Sequence, residues 1–422
     1  MSKVIFLCSP TFGHTNPTLA LVKELVNRGE NVIYYNSETF KEKIERTGAV
    51  FRLNRYFKGV YNDDRMRIAN SKQRSQYRLE DITGLIYAHL NYFQQVLQGI
   101  IEEIKNEMPD YVIYDSGLYW GKLLAKQLDI PAVSSIPIFA FCNKILEVDP
   151  AFFIRDILWL SDEYLIDKQA TIKKIEELSQ SLAALFHLEN FNLMDAILCL
   201  GDLNIVYTSR YFQSYNQCFD ERFKFVGPSL SSDRDDAEFS IDKFKGKPLI
   251  YISLGTVYAS LSRNFYVDFY KVCLEAFGNS DKQVILHIGA TDRRALGKIP
   301  DNFIVESYVP PLKILPHTDL FITHGGMNSV SEGHFYNVPL IVVPTRADQF
   351  IVARRVEELG AGIYIKDQEI TAEILKEKAE KIYSDETFAR NSQKIGDSLR
   401  AAGGAEKAVD EIFSFKKEYG IN

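Results

Sequence analysis

Short apolar runs of strand length recur along this chain, and between them apolar positions fall three and four residues apart, the spacing of one helix face. Val4–Cys8, Asn31–Tyr35, Val50–Leu53, Tyr111–Tyr114 and Asn204–Tyr207 are such runs in the first half. The stretches between them predict helices over Leu19–Asn27, stopping at Gly29, and over Phe40–Arg46, Ile82–Lys105 and Trp120–Gln127. Ser9–Thr15 reads as a loop, with Asn16 and Pro17 as N-cap and first helical residue. The pattern restarts at Leu249–Ile252 and continues through Val284–His287, Phe303–Glu306, 319–322, Pro339–Val343 and a run around Ile363, with helices near 264–277, 349–358 and 372–382. Strand–helix alternation of this kind predicts α/β architecture with doubly wound parallel sheets. The polar stretch Ser231–Asp236 reads as a linker, which divides the chain into domains 1–228 and 229–404.

A chain of 422 residues is long for one core, and 46% hydrophobic content fills two. The net charge of −7 does not suggest a nucleic-acid protein. No apolar run reaches the length of about 18 residues that spans a bilayer, and the N-terminal apolar run lacks the flank of a signal peptide. Five cysteines, none in a CxxC pair, read as reduced buried thiols of a cytoplasmic protein. Between Lys41 and Arg78 stand eleven Lys or Arg against four Asp or Glu, a local charge of +7. A solvated face or mobile loop accounts for that; steering of an acidic acceptor or contact with an anionic membrane surface is the alternative.

Chemistry concentrates in Phe321-Ile-Thr-His-Gly-Gly-Met-Asn-Ser-Val-Ser-Glu332. Strand, tight turn and helix start together offer backbone N–H groups and a positive dipole end to an anion. Gly325 and Gly326 allow close approach of the backbone to a phosphate, His324, Asn328 and Ser329 add donors, and Asn328-Ser329 can cap the helix. Glu332, one turn in, can accept from two ribose hydroxyls. Ser253-Leu-Gly-Thr256 is a second turn of the same kind. In the first half, His14 follows the first strand and Asp115 ends a later one. Doubly wound sheets bind ligands at the carboxyl ends of their strands, so both residues can reach one crevice. A carboxylate on one imidazole nitrogen fixes the tautomer and leaves the other nitrogen to take a proton. Asp233-Arg-Asp235 has the form of a metal-binding triplet, but two carboxylates in a linker make a poor site, and no histidines carry zinc spacing. His317 reads as structural or near a diphosphate, and His89 and His187 as core or surface residues of helices.

Tyr308-Val-Pro-Pro311, Leu315-Pro-His317, Thr323-His-Gly-Gly-Met-Asn-Ser329, Glu332, Asn337-Val-Pro339 and Asp348-Gln349, with Gly13-His14-x-Asn16-Pro17, resemble the signature of UDP-dependent glycosyltransferases. The bacterial macrolide- and flavonoid-type branch is the nearest. The resemblance implies the GT-B fold, two Rossmann-like domains facing across a cleft, with a final helix over 405–422 packing back on the first. It implies inverting transfer of glucose from UDP-glucose to a hydroxyl of a hydrophobic small molecule, with His14 and Asp115 catalytic and no cofactor or metal. Ser253, Thr256, Tyr308, Val309, His324, Gly326, Asn328, Ser329, Glu332, Asp348 and Gln349 become the donor site. The aromatic helices over 151–199 become the acceptor wall, although periodicity alone makes Phe152, Phe153, Trp159 and Phe186 core. Tyr308 replaces the family's Trp and Pro311 its Gln, so base selectivity leans on the Val309 backbone and TDP-sugars stay open. A membrane-lipid glycosyltransferase, a UDP-GlcNAc 2-epimerase and a non-catalytic nucleotide-sugar binder are the other readings.

Overall fold

The computed structural model describes residues 2–54, 77–189, 191–230, 239, 246–255, 263–346 and 348–422. Two compact units emerge, each built on one parallel sheet.

The first sheet contains β1 (Lys3–Leu7), β2 (Asn31–Asn36), β3 (Val50–Leu53), β4 (Tyr111–Asp115), β5 (Ala132–Ile136), β6 (Leu203–Val206) and β7 (Phe223–Phe225), in the order β3-β2-β1-β4-β5-β6-β7. Alternation along β1 separates two cores. Val4 and Phe6 point to one, Ile5 and Leu7 to the other, and all four are fully buried. The Phe6 ring stacks on Tyr34 of β2 at 4.7 Å. Strands β5 and β7 are additions to the sequence expectation. Ala132-Val-Ser-Ser-Ile136 carries two serines among its five residues, both buried and bonded to the Cys199 carbonyl and the Tyr207 hydroxyl.

The second sheet contains β8 (Leu249–Ser253), β9 (Gln283–His287), β10 (Phe303–Glu306), β11 (Leu320–Thr323), β12 (Leu340–Val342) and β13 (Gly362–Tyr364), in the order β10-β9-β8-β11-β12-β13. The winding reverses between β8 and β11, as it does between β1 and β4 in the first sheet. Tyr251 and Phe321 stack across that point at 4.8 Å.

Each unit is completed by a segment from elsewhere in the chain. The helix Gly404–Glu418 belongs to the first unit, where Ala408, Val409, Ile412 and Phe415 join the core with Leu21, Val22 and Leu25. Its Lys416 ammonium meets the Glu30 carboxylate, both buried. That carboxylate also accepts from Ser2 Oγ at 2.7 Å and Tyr111 Oη at 2.9 Å. Conversely, Thr208–Ser214, counted with the first half on sequence, belongs to the second unit. Arg355 donates to the carbonyls of Phe212 and Tyr211 at 3.0 and 2.9 Å, and the Phe212 ring lies edge-on to His334 at 5.9 Å. No apolar periodicity marks so short a piece. Helix Thr387–Ala401 is likewise absent from the sequence expectation.

The five cysteines are buried free thiols. Among the described residues, no helix is long and apolar enough to cross a membrane. The linker 231–236, with Asp233 and Asp235, and most of the basic segment lie outside the described residues.

Candidate functional site

In the first unit, chemistry gathers at the carboxyl ends of β1 and β4, where the sheet's winding reverses. Helix Phe12–Asn27 begins four residues earlier than the cap expected at Asn16. Thr11 is its N-cap and Pro17 lies inside it. His14 is thereby a first-turn residue on an ordered helix rather than part of a loop. Its Nδ1 lies 2.6 Å from Asp115 Oδ2. The His14 side chain is 31% exposed and that of Asp115 only 1%.

Sequence reasoning missed the supports of Asp115. Its Oδ1 accepts from the Gly117 backbone at 2.7 Å and from Ser9 Oγ at 3.4 Å, and Cys8 Sγ approaches Oδ2 at 3.9 Å. A carboxylate so held is oriented by bonds on both oxygens. With an ionised carboxylate at Nδ1, the neutral imidazole carries its proton there and presents a lone pair at Nε2.

In the second unit the corresponding reversal lies between β8 and β11. Ser253 ends β8, and His324 follows β11. Helix Met327–Phe335 starts directly afterwards, capped by the Gly326 backbone without a side-chain bond. Asn328 and Ser329 therefore do not cap it; they occupy its first turn, half-buried, where backbone N–H groups point out of the helix end. Glu332 is buried one turn further on.

The glycines here leave room for a side chain. A Cβ on Gly255 would stand 2.8 Å from His324 Cε1, and one on Gly326 2.6 Å from its Nε2. The imidazole is wedged between two loops at places only glycine leaves open. Gly255 also takes φ +78° and Gly325 φ +86°. Burial pushes the His324 pKa down to about 4, so it is neutral at pH 7.

Tyr308 is 48% exposed, and Val309 is fully buried. Pro311 is the first residue of the short helix Pro311–Ile314, a position where its missing N–H costs nothing. Asn337, where the family pattern has Gly, takes φ +64°, which asparagine tolerates better than most residues. Asp348 caps helix Gln349–Glu358 by its backbone. Gln349 is buried, and its Oε1 accepts from Thr345 N, Thr345 Oγ1 and Arg346 N at 2.9, 3.1 and 3.2 Å, which pins the loop.

Thr256 lies outside the described residues. His317 and His187 are exposed and His89 is half-buried. Phe153 and Phe186 are core, while Phe152 and Trp159 are half-buried. Among the described residues, no three His, Cys, Asp or Glu side chains gather as a metal site would require.

His287 also went unnoticed on sequence. It ends β9 in register with Ser253, with Nδ1 3.0 Å from the Ser253 hydroxyl. The available signal was positional, since both are the polar last residue of an apolar strand.

Residues 271–412 match the family model described as erythromycin biosynthesis protein CIII-like, C-terminal domain. The chain is 36% identical over 419 residues to the uncharacterized UDP-glucosyltransferase YojK of Bacillus subtilis, covering 99% of this chain and 98% of that one. It is 37% identical to the NDP-glycosyltransferase YjiC of Bacillus licheniformis, covering 98% and 97%. The fold of the calicheamicin glycosyltransferase CalG4 superposes with a TM-score of 0.77 at 23% identity, covering 99% and 98%. Full-length likeness of this degree, on two doubly wound sheets, places the chain in the family of UDP- and NDP-dependent glycosyltransferases with the GT-B fold.

Proposed function

We propose that this glycosyltransferase moves glucose from UDP-glucose to a hydroxyl of a hydrophobic small molecule, with inversion and without a metal, in the cytoplasm. The observation that carries the chemistry is the His14–Asp115 pair, 2.6 Å apart with the imidazole partly open to solvent. His14 Nε2 takes the acceptor's hydroxyl proton. The oxygen forms a bond to C1 of the sugar on the face opposite the diphosphate. The bond from C1 to the phosphate oxygen breaks, and UDP departs with its electron pair. Asp115 stabilises the imidazolium formed on the way.

The donor set is assigned as follows. The first turn of helix Met327–Phe335, with the Gly326 amide, Asn328 and Ser329, meets the diphosphate, as do Ser253, Thr256 and His324. Being neutral, His324 acts there through a hydrogen bond and not as a cation. Glu332 accepts from the ribose, Tyr308 stacks on uracil, the Val309 backbone serves base selectivity, and Asp348 and Gln349 meet sugar hydroxyls. The name of the Bacillus subtilis relative supports UDP-glucose. The half-buried rings of Phe152 and Trp159 suit a hydrophobic acceptor, and buried free thiols suit a reducing compartment.

The test is incubation with UDP-glucose and a mixed panel of phenols and macrolides, read by mass spectrometry. Expected is a product heavier by one hexosyl group, of inverted anomeric configuration by NMR. Retained configuration sinks the single-displacement route, and hydrolysis or epimerisation of the donor without transfer sinks the whole proposal.

A further inference from the structure

Resting on the donor-site assignment above, we propose that His287 is a positioning residue of that site, aiming the Ser253 hydroxyl at the diphosphate and bracing the Tyr308 ring. Sheet register places it for both. His287 pairs with Ser253 of β8 on one side and with Glu306 of β10 on the other, two residues before Tyr308. The Tyr308 ring stands edge-on to the imidazole, with centroids 6.0 Å apart and planes at 83°. One buried ring thus touches a group assigned to the phosphates and a group assigned to the base.

Hydrogen-bond accounting shows what the pair can do. Ser253 Oγ has one proton and two lone pairs. The Gly255 N–H approaches it at 3.4 Å and His287 Nδ1 at 3.0 Å. His287 Nε2 is buried and closes no hydrogen bond of normal geometry, and the Ser307 backbone acts on the ring as an acceptor would. Burial also lowers the pKa of this imidazole, which favours the neutral ring. In the proposed arrangement the ring proton sits on Nδ1, from which it donates into Oγ. The serine lone pairs are then occupied, and its O–H is left to point at an acceptor such as a phosphate oxygen.

Two substitutions separate the two contacts. His287→Phe keeps a ring against Tyr308 and removes the donor to Ser253. His287→Asn keeps a donor near the Nδ1 position and removes the ring. Calorimetry with UDP and with uridine, on the full chain, reads them apart, and thermal melting checks that each variant folds. Expected for His287→Phe is UDP binding about tenfold weaker, the scale of one hydrogen bond, with uridine binding unchanged. Adding Ser253→Ala to it then changes little, because the two act as one unit. Expected for His287→Asn is near-normal discrimination of UDP from uridine, with both bound more weakly.

Equal loss of UDP and uridine in His287→Phe, or additive effects with Ser253→Ala, overturns the positioning role. Failure of the wild-type protein to bind UDP overturns the donor-site assignment itself, and His287's role with it.

Discussion

The two units share a strand order around the point where winding reverses, and each sets a histidine there, yet the two imidazoles are opposites. His14 is a third exposed, and its Nδ1 rests on a carboxylate held from several sides. His324 has no carboxylate among its described partners, is wedged between Gly255 and Gly326, and is held neutral by burial. An imidazole with a carboxylate behind it and solvent in front can gain and lose a proton. One whose pKa is lowered to about 4 is neutral at pH 7 and acts through hydrogen bonds. On the proposed reading, the same scaffold makes a proton acceptor at one reversal and an anion cradle at the other; His14 follows β1 and His324 follows β11, on opposite sides of their reversals.

The largest expected effect tests that division of labour. His14→Ala should lower transfer by about 10²–10⁴-fold, the usual contribution of a positioned base, while calorimetric UDP affinity stays at the wild-type value. If UDP affinity fell as far as the rate, His14 would belong to the donor site and the contrast would disappear.

The units can next be separated by stability. Lys416→Met leaves the buried Glu30 carboxylate without its cation and should cost the first unit about 3–5 kcal/mol. Hydrogen exchange should then show weakened protection in β1, β2 and β4, with β8 and β11 unaffected. Uniform weakening of both sheets would mean that the units do not unfold separately.

Acid should act on the second unit. Burial lowers His324 to about 4 and His334 to about 3 from an ordinary 6.5. The unfolded chain therefore binds protons that the folded one refuses as pH falls. The stability from these rings is complete above about pH 6.5 and is lost progressively toward pH 4 and below. The melting temperature should drop over that window, and His334→Leu should flatten the slope; an unchanged slope would remove His334 from the account.

A smaller change probes the wedge around His324. Gly326→Ala places a methyl group against Nε2 and should cost about 1–3 kcal/mol by overpacking, with weaker UDP binding at an intact His14–Asp115 pair. Normal UDP binding in this variant would show that the ring can move aside without harm. The smallest expected effect is none at all. Transfer should persist in excess EDTA, and a rate restored only by a divalent cation would replace the amide-and-hydroxyl cradle with metal chemistry.

Much of this was legible in the residues. Strand-length apolar runs marked most of β1–β4 and the strands of the second sheet because parallel strands bury both faces and must be apolar throughout. Gly325 and Gly326 after His324, with Asn328 and Ser329, marked a helix start of the kind that can take an anion, although the cap itself proved to be backbone. The start at Phe12 was harder to read, because Pro17 resembles a first-turn proline and here sits inside the helix. Gln349 was read as sugar-binding from the resemblance, and nothing local signals that Thr345 and Arg346 occupy its oxygen.

By itself the sequence determined the periodicities, hence two doubly wound sheets, and the residue types able to do this chemistry. Both are local properties of the chain. Tertiary structure alone decided which distant residues meet. It brought Asp115 to His14, a hundred residues away, and set His287 beside Ser253 by strand register. It also assigned Thr208–Ser214 and Gly404–Asn422 to units that their place in the chain does not indicate. Such pairings depend on strand order and on how side chains fill the space between elements, and no stretch of neighbouring residues encodes either.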